Sequence, residues 1–200
     1  MRFILKDKKF AIESATLSAA IPDPYWSAKY NPSGDARLFW SLEVICGTGE
    51  DDDGEMWEPR IYHEDLHFPI RRWMNVAGQA VEWSEPSGGI YVVEHENISR
   101  GCLRLLEREG ARFRFDWEGC GDVRWDDEYG EDVPFTASGW ANFTQVVVRG
   151  SESDTDETLR TRLAAYLDPG DFVQQPISHS GHRYDSGVGM AQGVFIPRIE

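Results

Sequence analysis

The run His63-Glu64-Asp65-Leu66-His67 carries the residue types of a metal centre. Side chains alternate between the faces of a β-strand, so His63, Asp65 and His67 are expected on one side, where two imidazoles and a carboxylate suit zinc or non-haem iron. Residues i and i+4 of a strand stand roughly 13 Å apart, so convergence on one ion needs a bulge or a ligand from another element. His95, His179 and His182 are the available imidazoles. The competing reading is a polar outer face opposite Tyr62, Leu66 and Phe68.

Other chemistry-bearing residues form weaker patterns. His179-Ser180-Gly181-His182 with Asp185 and Ser186 gathers nucleophile and base types in one polar stretch, but no G-x-S-x-G elbow accompanies them. Asp51-Asp52-Asp53-Gly54-Glu55 and Asp126-Asp127-Glu128-Tyr129-Gly130 lack the ligand spacing of an EF-hand loop. Cys46, Cys102 and Cys120 are widely separated and odd in number, which argues against a disulfide framework or zinc knuckle. The sequence suggests no cationic neighbour that would activate any of these thiols. No cofactor is implied.

Charge is the strongest signal. Fifteen of the 35 acidic residues fall in three short segments, 50–55, 122–132 and 152–157, accompanied only by Arg124. The rest of the chain is nearly neutral, although the total formal charge is −15. Such patches repel nucleic acid and anionic membranes and favour a basic partner. The third segment has a structural explanation, because acids in a first helical turn complement the helix dipole. The first two lie between strand-like runs and are expected to be exposed loops. Trp57 follows the first, and Trp125 and Tyr129 sit inside the second. Aromatic anchors ringed by carboxylates suit a protein-binding surface; alternatively, the rings fold back and pin their loops.

The elements carrying these residues are mostly β. Phe3, Leu5, Phe10 and Ile12 flank a turn at Lys6-Asp7-Lys8-Lys9 and predict an opening hairpin. Trp40, Leu42, Val44 and Cys46 share one face of a strand within 37–46. A second hairpin is expected over 103–117, turning near Glu109-Gly110, with Phe113, Phe115 and Trp117 on one face. Further strands are expected at 89–94, 140–149 and 194–199, the last pushed to a sheet edge by Pro197. One helix, near 155–167, is framed by Asp154-Thr155-Asp156-Glu157 and Asp168-Pro169-Gly170, with Leu159, Leu163, Tyr166 and Leu167 as its apolar stripe.

The 200 residues, 40 % of them hydrophobic, suit one globular domain over 1–200, either a β-sandwich or a strongly bent antiparallel sheet with one helix. The opening residues are too briefly apolar for a signal peptide and no segment reaches membrane-spanning length, so a cytoplasmic protein is expected. The functional expectation is a non-enzymatic binding module, most concretely an immunity-type protein that neutralises a basic toxin or nuclease. Glu50, Asp51, Asp52, Asp53, Asp126, Asp127 and Glu128 would steer the partner, and Trp57, Trp125 and Tyr129 would anchor it. The alternatives are a metal-dependent enzyme using His63, Asp65 and His67, and a structural or assembly subunit of unknown stoichiometry.

Overall fold

The opening hairpin forms as its alternation requires. Strands β1 (Arg2–Leu5) and β2 (Lys8–Ile21) turn at Lys6, whose φ is +53°, and bury Phe3 and Leu5. The computed structural model describes residues 1–23, 37–47, 49–50, 56–92, 94–123, 130–179 and 190–199.

From β2 the hydrogen bonding passes to β3 (Phe39–Cys46), β6 (Arg60–Leu66), β8 (Gly89–Tyr91), β9 (His95–Glu109), β10 (Arg112–Gly121) and β11 (Val133–Ser151). All these pairings are antiparallel. The long β11 then returns to the start, antiparallel to β1 and parallel to β2, with Asn142 opposite Thr16 and Val148 opposite Ile21. The sheet therefore bends until it closes on itself as a barrel, which leaves no free edge within the ring. Between β3 and β6, β4 (Gly49–Glu50) and β5 (Met56–Trp57) form a separate two-residue ladder.

Strand β7 (Gln79–Trp83) continues the wall beside β9, beyond the stretch that β8 occupies. Past the end of β10, the far half of β11 pairs with β13 (Met190–Pro197), and β13 pairs with β12 (Phe172–Gln174). Pro197 was expected at an edge, but it lies opposite Phe172 and the outermost strand is β12. Proline is tolerated there because it is the last residue of its strand.

Helix α1 (Asp156–Ala164) covers this extension with Leu159 and Leu163. Its approach depends on two glycines. A Cβ on Gly150 would meet Leu159 at 2.8 Å, and one on Gly193 would meet it at 3.1 Å. Thr155 caps the helix by accepting from the Thr158 amide, and Asp154 accepts from the Ser151 amide, so the third acidic segment does act as a helix start.

One contiguous apolar cluster fills the barrel interior. Trp73 enters it from the short turn Trp73–Val76, 5.4 Å from Phe143 and 6.0 Å from Phe113 between ring centroids. This turn is tied to the helical side by its two preceding arginines. Arg71 donates to the carbonyls of Ala164 and Ala165, and Arg72 pairs at 2.6 Å with the buried carboxylate of Asp171.

Candidate functional site: a groove across four strands

Four neighbouring strands contribute three consecutive residues each to a groove of about 620 Å³ on the outside of the barrel. The registers arrange these residues in rows. Glu82, Cys102, Glu118 and Thr136 lie side by side across β7, β9, β10 and β11. The next row is Trp83, Gly101, Gly119 and Phe135, followed by Arg100, Cys120 and Pro134. Because side chains alternate, the first and third rows face outward and the middle row faces the core.

Glycine in the middle row is sterically required. A Cβ on Gly101 would meet the Trp83 ring at 2.5 Å, and one on Gly119 would meet Phe135 at 2.8 Å. Both rings thus pack directly on the backbones that floor the groove. Trp117 stands behind them, 6.1 Å from Trp83 and 5.9 Å from Phe135 between centroids.

The outward rows mix carboxylates, a guanidinium and two thiols. Cys102 donates to Glu82 at 3.7 Å, and Arg104 pairs with Glu118 at 2.8 Å. Burial pushes the Cys102 thiol pKa up; Arg104 opposes this shift and Glu82 adds to it. Arg100 bonds Asp132 at 2.8 Å and also reaches the Cys120 side chain. Hydrogen bonds from Arg100 and Ser99 hold the Asp132 carboxyl below the usual range.

Asp132 connects the groove to the second acidic segment. It adopts a left-handed backbone with φ +57°, and its amide donates to Asp122 at 3.1 Å. The Val123 amide donates to the Gly130 carbonyl at 2.9 Å, so the two arms of this segment are tied together at its neck. Ser99 bridges the neck to β10 by donating to Asp132 and to the Cys120 carbonyl. Trp125, Asp126, Asp127, Glu128 and Tyr129 lie outside the described residues.

The first acidic segment is placed by backbone alone. Gly49 pairs with Trp57 and Glu50 with Met56, so Glu50 and Trp57 stand on opposite arms of a hairpin. Asp51, Asp52 and Asp53 lie outside the described residues.

The His63 segment departs from the expected alternation. The register slips between Trp40 opposite Leu66 and Leu42 opposite His63, which inserts an extra residue into β6. His63 consequently turns inward and is 3 % exposed, whereas Asp65 and His67 are exposed. The three do not share a face. His63 Nδ1 accepts from the Asp65 amide, and its ring meets Trp83 edge-on at 4.5 Å. Burial lowers the His63 pKa, and the Asp65 charge opposes that shift. His95 does not join it, because it bonds the Tyr62 hydroxyl and stacks on that ring. His179 is exposed, and His182, Asp185 and Ser186 lie outside the described residues. Among the described residues, no three metal-ligating side chains converge.

Sequence periodicity did not reveal the groove, because it is a property of register between four strands. Its detectable sign was glycine: Gly101 and Gly119 each interrupt a strand pattern, which marks a close approach by something else. No helix among the described residues is long and apolar enough to cross a membrane. No family model, curated protein or solved structure matches this chain.

Proposed function

We propose that the protein acts by binding a basic protein partner, with the groove and the adjoining acidic segment as one surface. The observation supporting this most directly is the tie between them: Asp132 at the neck of the 122–132 segment is held by Arg100 and Ser99 on the groove's own strand. A segment rich in carboxylates is thereby anchored beside a concavity that adds Glu82 and Glu118. Clustered charge of one sign speeds encounter with an opposite charge, and a concave floor gives a partner side chain somewhere to be desolvated. An immunity-type inhibitor of a basic toxin or nuclease remains the most concrete form of this proposal. The cytoplasm is the compartment it assumes.

The test is capture from native lysate by the tagged chain, with Glu82→Lys and Asp126→Lys/Asp127→Lys/Glu128→Lys variants in parallel. A basic protein retained at equal stoichiometry, released by salt and lost in both variants, is the expected result. Equal retention by all three proteins would remove this surface from the function.

A further inference from the structure

We propose that Cys120 is a modification site that forms a mixed disulfide with a low-molecular-weight disulfide such as oxidised glutathione, whereas Cys102 and Cys46 do not. The three thiols differ in what surrounds them. Cys46 is fully enclosed in the core beside β6, and Cys102 is 8 % exposed and donates to Glu82. Cys120 is half-buried, opens into the groove, and has the Arg100 guanidinium in hydrogen-bonding contact with its side chain. Access and a cationic neighbour are the two conditions that mark reactive thiols. The groove provides room for a tripeptide-sized adduct, and Arg100 provides a counter-charge for its carboxylates.

The reaction is an exchange. The Cys120 sulfur, having lost its proton, attacks one sulfur of the small disulfide, a new S–S bond forms, and the old one breaks. The departing thiolate takes up the proton, so no outside oxidant is consumed. Cys102 does not resolve the adduct. Cys102 lies opposite Glu118 and Cys120 opposite Arg100, which makes the thiols diagonal neighbours across two strands. Diagonal positions stand about 7–8 Å apart, beyond the span of an unstrained disulfide. This inference holds whether or not the groove receives a protein partner.

The experiment treats the folded full chain with oxidised glutathione and maps the adduct by peptide mass spectrometry, with a urea-unfolded sample as reference. The folded protein is expected to gain one glutathionyl group, on Cys120, while all three cysteines react after unfolding. Arg100→Gln should slow the folded-state reaction about threefold or more. An adduct on Cys102 or Cys46, no adduct, an internal Cys102–Cys120 disulfide, or an unchanged rate in Arg100→Gln would each overturn the proposal.

Discussion

The wall around β3 and the wall around β9 and β10 belong to the same barrel and obey different rules. In β3, Trp40, Leu42, Val44 and Cys46 point inward without interruption and all are 0 % exposed. On β9 and β10 the inward row is broken by Gly101 and Gly119, and the register slips twice along the pairing. The regular wall presents the core with side chains alone. The irregular wall lets rings contact backbone and bends to leave a groove outside. Where the alternation is strict, the strand serves the core; where it fails, the outer surface acquires a shape.

This contrast can be broken by substitution. Trp40→Ala on the regular wall should cost the most, about 3–5 kcal/mol, because the ring is enclosed and packs against Phe68 and Phe143. Denaturant unfolding measures it, and a loss below about 1 kcal/mol would show that this wall tolerates a cavity.

Gly101→Ala should destabilise the irregular wall by about 1–2 kcal/mol: overpacking against Trp83 outweighs the smaller gain from a stiffer unfolded chain. A stabilised variant would mean that the Trp83 ring moves freely.

A smaller effect depends on pH. The His63 pKa is lowered in the folded state, so below about pH 6.5 the unfolded chain binds the proton more readily. Stability should be fully present above that pH and fall as pH drops toward the folded-state value. The unfolding midpoint of His63→Gln should lack this component, and parallel pH profiles for the two proteins would contradict it. Smallest of all, Arg60→Gln removes an ion pair with Glu43 whose partners are 44 % and 42 % exposed, and should change stability by less than about 1 kcal/mol.

The mainly β class, the opening hairpin, the β3 face, the 109–110 turn and the helix with its cap were all legible, because each depends on local periodicity or turn chemistry. Gly110, at φ +59°, is one such turn residue. The bulge in β6 was not, since only pairing with β3 reveals it, and so His63 was expected outside. Strand β7 and the Trp73 turn were also hidden: their residues alternate too briefly to signal burial against distant strands. The contact between Arg100 and Cys120 joins residues twenty positions apart and exists only through the register of β9 and β10. Thus the element types were readable locally, and the site was not.

The parallel pairing of β2 with β11 sets the order in which this molecule can assemble. Residues 16–21 await partners at 142–148, so more than half the chain must exist before the ring can shut. Contacts so remote in sequence cost loop entropy before they return any stability, which slows folding. During synthesis β2 can pair early with β3, while its other edge stays open until β11 emerges. In that interval the unpaired edge is a template for wrong pairing with other chains. Refolding at rising protein concentration should therefore lose yield to aggregation, and a peptide copying β11 should compete for that edge when added before closure.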